Sequence, residues 1–158
     1  MSLASTALGA LIALFATLIN ERAKWRREQV SERRKLRQQT CSRYLAALTE
    51  AHERMRAEAG GDRSPEERAA AIERAFREAN CYGLRYEIGI VADQDVVDSS
   101  ERTFQLMRDI RDVLASGRGT EDEQYTALRA EYGESLRELQ QCIRAELGAS
   151  RLELTGGS

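Results

Sequence analysis

Few side chains in this chain have the type and spacing that chemistry needs. His52 is the only histidine, with Glu50 and Glu53 beside it. The Glu-x-x-His spacing, by which helical bundles hold two metal ions between carboxylates, is absent. A surface or half-buried structural role is expected for His52. Cys41, Cys81 and Cys142 are scattered, without the Cys-x-x-Cys spacing of zinc sites and without the density of a disulfide framework. Each falls on or beside an apolar face, so buried, reduced thiols are expected, as in a cytoplasmic domain. Asp93/Asp95 and Glu121/Asp122/Glu123 stand at expected helix N-termini, where negative charge offsets the helix dipole, and this reading outweighs metal binding. Gly117 and Gly119 mark a turn. There is no phosphate-binding loop, dinucleotide glycine fingerprint, nucleophile elbow or His-Glu-x-x-His motif. The residues point away from an enzyme and imply no cofactor and no metal.

The N-terminal segment does carry physical chemistry. Ser2 to Asn20 contains no charged side chain. Nineteen residues at a helical rise reach roughly 28 Å, close to the hydrocarbon thickness of a bilayer. Arg22, Lys24, Arg26, Arg27, Arg33, Arg34, Lys35 and Arg37 follow, against Glu28 and Glu32. A basic flank marks the cytoplasmic side of a membrane span. A cleavable signal would carry positive charge before its apolar core and a small-residue cleavage site after it, and neither is present. Residues 1–20 are therefore expected to be a transmembrane anchor, single-pass in the inner (plasma) membrane, with the N-terminus outside and the C-terminus cytoplasmic. Arg22, Lys24, Trp25, Arg26 and Arg27 are the expected headgroup contacts, although the arginine block serves equally as the topology signal alone. Ser5, Gly9, Ala13 and Thr17 recur every four residues, a ridge of small side chains that lets membrane helices approach closely. Anchor self-association, and with it a homo-oligomer, is expected from that ridge.

Composition sets the rest of the frame. Charged residues make up 32% of the chain and Pro65 is the only proline, which suits long helices and disfavours a sheet protein. The basic residues are 22 Arg and 2 Lys, a bias typical of a high-GC bacterial genome. Residues 21–57 carry eleven basic and five acidic side chains, a net of +6, and residues 58–158 carry −8. A basic membrane-proximal stem suits anionic headgroups. An acidic distal domain would repel phosphate, so nucleic acid is not an expected partner.

These features need elements to position them. No Gly or Pro interrupts residues 10–59, so one helix is expected from the anchor to about Glu58. Residues 21–37 form a basic stalk, solvated over 21–35. Leu36, Tyr44, Leu45, Leu48 and Met55 then restore an apolar stripe. Gly60 to Arg63 is a break, and Ser64-Pro65-Glu66-Glu67 reads as a capping box with proline at the first helical position. A single second helix is expected along the heptad seam Ile72, Phe76, Ala79, Gly83, Tyr86 and Ile90, with Gly83 marking a close crossing or a kink. Glu87 to Val97 is ambiguous between strand and helix, and a connection near Ala92–Asp95 is preferred. A third helix carries Val96, Thr103, Met107, Ile110 and Leu114, ending at Ser116–Gly119. Thr120 is the expected cap of a fourth, boxed by Glu123, with Tyr125, Leu128, Tyr132, Leu136, Leu139, Ile143 and Leu147 as its stripe. The expected fold is all-α: an N-terminal transmembrane helix continuing into a stalk and an up-down helical bundle over 38–148, then a flexible tail, 149–158. Phe76, Tyr86, Met107, Leu128, Tyr132, Leu136 and Leu139 are its expected core.

An uncharged N-terminal helix, the run ERAKWRREQVSERRKLRQ and a helical domain ending in RAELG together resemble small uncharacterised actinobacterial single-pass membrane proteins. The resemblance implies a membrane helix and a helical cytoplasmic domain and brings no activity with it. The expected function is a non-enzymatic, membrane-anchored interaction or scaffold module, presenting its bundle to a protein partner or to itself. The alternative is a membrane-active effector whose gathered anchors permeabilise the bilayer. Only Ser5, Thr6 and Thr17 would give such a pore a polar lining.

Overall fold

In the computed structural model, residues 3–148 are described, apart from the side chains of residues 3–20, Arg22, Ala23 and Arg27. Five helices follow one another: α1 (Leu3–Ala59), α2 (Pro65–Glu78), α3 (Cys81–Val91), α4 (Gln94–Ala115) and α5 (Glu123–Glu146). The described residues contain no strand, so the fold is all-α. The chain divides into two units, Met1–Leu36 and Arg37–Ser158. Among the described residues no helix is long and apolar enough to cross a membrane. The side chains of the uncharged run lie outside the described residues, as does the tail 149–158, so the expected span receives no support from the structure.

In the first unit the described side chains from Glu21 onward are exposed, Trp25 and Val30 among them. Glu32 and Lys35 form an i,i+3 ion pair at 3.3 Å. Leu36, expected to begin the core stripe, is 53% exposed. Burial starts later, at Thr40 and Cys41, where neighbouring helices first close over α1.

Local chemistry sets the remaining helix ends. Ser64 Oγ accepts from the Glu67 amide and Glu67 Oε2 accepts from the Ser64 amide, the expected capping box, with Pro65 in the first turn. The expected single second helix is instead two. Asn80 adopts the left-handed region at φ 55°, and helix resumes only at Cys81. Asparagine tolerates this conformation better than other non-glycine residues, because its short polar side chain can bond locally. A β-carbon on Gly83 would come within 2.6 Å of Asn80 Oδ1, so Gly83 makes room for the kink and not for a helix crossing. The kink also ends the heptad seam. Ile72, Phe76 and Ala79 are buried, while Tyr86, expected in the core, and Ile90, expected on the seam, are exposed. The next connection falls at Ala92–Asp93, inside the expected window.

At α5 the expected Thr120 box does not form. The Asp122 amide donates to the Gly119 carbonyl at 3.2 Å, a turn that delays the helix by two residues. Asp122 is the cap instead, its Oδ1 accepting from the Gln124 amide at 2.9 Å.

Cross-helix pairs give the topology of the second unit. Arg43–Glu87 (3.1 Å) and Arg54–Glu78 (3.6 Å) join α1 to α3 and α2. Arg85–Glu101 and Glu73–Arg111 (3.3 Å) join α3 and α2 to α4. Thr103–Ser135 (2.8 Å) and Arg102–Glu138 (3.2 Å) join α4 to α5. In each set one partner's number rises as the other's falls, so neighbours run antiparallel, with α2 and α3 sharing one arm of the bundle. Tyr44, Leu48, Met55, Ile72, Phe76, Ile88, Phe104, Met107, Ile110, Leu114 and Leu139 fill the centre. Leu128 and Leu136 are only half-buried at its edge. The Tyr44 hydroxyl donates to the Ser100 carbonyl at 3.2 Å, so this buried phenol is satisfied. Burial raises its pKa.

Candidate functional site

Ser5, Gly9, Ala13, Thr17, Arg22 and Arg27, expected to meet a second anchor or lipid headgroups, have side chains outside the described residues. Lys24, Trp25 and Arg26 are exposed. Among the described residues no group of three or more His, Cys, Asp or Glu could hold a metal ion. Burial raises the Cys41 thiol to about 11 and the Cys81 thiol to about 12, so both stay protonated at neutral pH and are poor nucleophiles.

His52 sits deeper than the expected half-buried position, at 8% exposure. Its ring stacks on Tyr132 (5.6 Å between centroids) and Tyr125 (6.4 Å), seven residues apart on α5. Its Nε2 lies 3.3 Å from the Tyr125 hydroxyl, and its Nδ1 lies 3.6 Å from Glu53 Oε1. Desolvation holds its pKa below the ordinary histidine value; Arg129 and Arg56 add to this and Glu53 opposes it. A neutral imidazole between two phenols fastens α1 to α5. A second polar fastening closes one end of the unit. Glu146, whose side chain is 5% exposed, accepts from Arg37 Nη1 at 2.9 Å and from the Asp93 amide at 3.2 Å. One carboxylate thereby joins α1, the α3–α4 connection and α5.

The aromatic side chains lead to the surface. Phe76, Tyr82 and Phe104 form a cluster, with Tyr82 edge-on to Phe104 at 4.8 Å. Arg111 lies over Phe76 at 4.9 Å and Arg85 over Phe104 at 5.0 Å. From this cluster Tyr82 (39% exposed), Tyr86 (65%) and Ile90 (82%) run out along α3 at four-residue steps. They are the exposed large hydrophobic side chains of the second unit among the described residues. Gly89 lies beside them, with nothing within 4 Å of where its β-carbon would be. Arg85 and Glu87 border the strip, bonded to Glu101 and Arg43 respectively. Such a strip carries no reacting group. What it can do is bury apolar surface against a partner.

Sequence reasoning misses this face because it places Tyr86 in the core and Ile90 on the same heptad seam. One signal could have found it. Cys81, Tyr82, Leu84, Tyr86, Ile88, Ile90 and Val91 are too many apolar residues for one side of an eleven-residue helix, so some had to face outward. Two of the surface hollows are polar. A cleft of about 620 Å³ between α1 and α2 is walled by paired Arg and Glu over an alanine floor. One of about 510 Å³ between α4 and α5 is lined mainly by glutamates.

Compared with protein-family models, with curated proteins and with solved structures, the chain matches none.

Proposed function

We propose that the chain is a non-enzymatic, membrane-anchored helical module that presents its bundle at the cytoplasmic face of the inner membrane to a protein partner or to a second copy of itself. The Tyr82–Tyr86–Ile90 strip carries the interaction half of this reading. An apolar strip on an otherwise charged surface raises the free energy in water, and contact with a partner lowers it. The membrane half rests on the residue pattern: an uncharged run from Ser2 to Asn20, then eight basic side chains within sixteen residues. The small-residue ridge Ser5, Gly9, Ala13 and Thr17 supports close approach of two anchors.

Protease added outside intact cells, with a tag on the C-terminus, tests the orientation. The tag should survive, and its digestion would overturn the cytoplasmic placement. Dye-loaded liposomes carrying the full chain test the non-lytic reading. They should stay sealed, and release would favour an effector that permeabilises the bilayer.

A further inference from the structure

We infer that the outer face of α3 is a two-fold interface between copies of this chain, with the two α3 helices parallel and in register. The inference rests on the proposed membrane anchoring, because the face is small. Two part-exposed tyrosines and an isoleucine offer on the order of 400 Å². A stable interface between free proteins takes about 800 Å² from each partner. Chains held on one bilayer meet at a high effective concentration, and a face of this size then suffices.

Three observations select a second copy. First, Tyr82, Tyr86 and Ile90 form a single strip at four-residue spacing, a patch that is self-complementary under a two-fold and that sets each residue against its own counterpart when the helices are parallel. Second, the edges of the strip match. At 3.6 residues per turn, Arg85 and Glu87 stand on opposite sides of Tyr86. In a parallel pair Arg85 faces the partner's Glu87, and Glu87 faces the partner's Arg85. An antiparallel pair would set Arg85 against the partner's Arg85 and Glu87 against the partner's Glu87. The in-chain pairs Arg85–Glu101 and Arg43–Glu87 extend across the two-fold in the parallel arrangement alone. Third, Gly89 is a helical glycine with open space over its α-carbon. Relative to alanine it costs up to about 1 kcal/mol, and no contact within the chain calls for it. A backbone bare of β-carbons admits a facing helix more closely.

The test is disulfide cross-linking of the full chain in native membranes, with Tyr86→Cys, Ile90→Cys and the exposed α5 variant Gln141→Cys compared under mild oxidation. Tyr86→Cys and Ile90→Cys should each run mainly as a covalent dimer. Gln141→Cys and wild type should stay monomeric. Adding Gly89→Trp to Ile90→Cys should abolish its dimer while helical content is unchanged. Ile90→Cys that cross-links only when mixed with Tyr82→Cys would overturn the parallel register. Absence of any α3 dimer, or capture of a different protein at both positions, would overturn the interface. The membrane pellet assayed alongside separates the two readings. Chain in the pellet without cross-linking sinks the interface and spares the anchoring. Cross-linked chain in the soluble fraction does the reverse.

Discussion

Leu136 and Leu139 sit one helical turn apart on α5 and look equivalent in sequence, yet the structure separates them. Leu139 is 0% exposed, and Leu136 is half-buried. Leu139→Ala deletes three carbons from a closed interior. Their transfer to water is worth roughly 2.4 kcal/mol. The cavity left behind adds to this, giving about 2–5 kcal/mol in all. Leu136 already meets solvent, and its neighbours can close over the gap, so Leu136→Ala should cost about 1–2 kcal/mol. Urea unfolding of the full chain in nonionic micelles, followed by helical circular dichroism, measures both. The midpoints should fall in the order wild type, Leu136→Ala, Leu139→Ala, with unchanged slope. Equal midpoints for the two variants, or the reverse order, would refute this placement of α5.

His52 makes the bundle sensitive to acid. Its folded pKa lies below that of the unfolded chain, about 6.5. At pH above 6.5 it is neutral in both states and costs nothing. Below that, the unfolded chain takes up a proton that the folded one resists. Stability then falls by at most about 1.4 kcal/mol per pH unit until the folded pKa is reached. His52→Gln should flatten the profile between pH 6.5 and 5, and parallel profiles would contradict the assignment. The kink gives another test. Asn80→Ala, forced into the left-handed region, should lose about 1 kcal/mol, whereas Asn80→Gly should change stability by only a few tenths. Unfolding midpoints in the reverse order would remove the strain argument.

Signals confined to a few residues were legible. The Ser64–Glu67 box is complete within four residues, and the long α1 needs only the absence of breakers, so both could be read directly. The split at Asn80 was not legible. The apolar steps from Ile72 to Ile90 run through it unchanged, and a single left-handed residue resets the phase of the helix that follows. With that phase unknown, the apolar pattern puts Tyr86 in the core and Ile90 on the same seam, and the apolar strip on α3 goes unread. Burial depth failed for a related reason. Leu36 has the spacing of a core residue but lies before the point where α3, α4 and α5 close on α1. His52 is deep because Tyr125 and Tyr132 meet it from a helix some seventy residues away. The spacing of apolar residues shows which ones share a helix face. It does not show what that face meets.

Alkaline carbonate extraction of membranes measures directly whether the uncharged N-terminal run holds this chain in a bilayer. The full chain should remain in the pellet. Ala13→Arg places a charge at the middle of the run, at a cost of about 2.5–3.5 kcal/mol for insertion, and should move much of the chain to the supernatant. Release of the wild-type chain by carbonate, or retention of wild type and Ala13→Arg to the same extent, would contradict a membrane-anchored module.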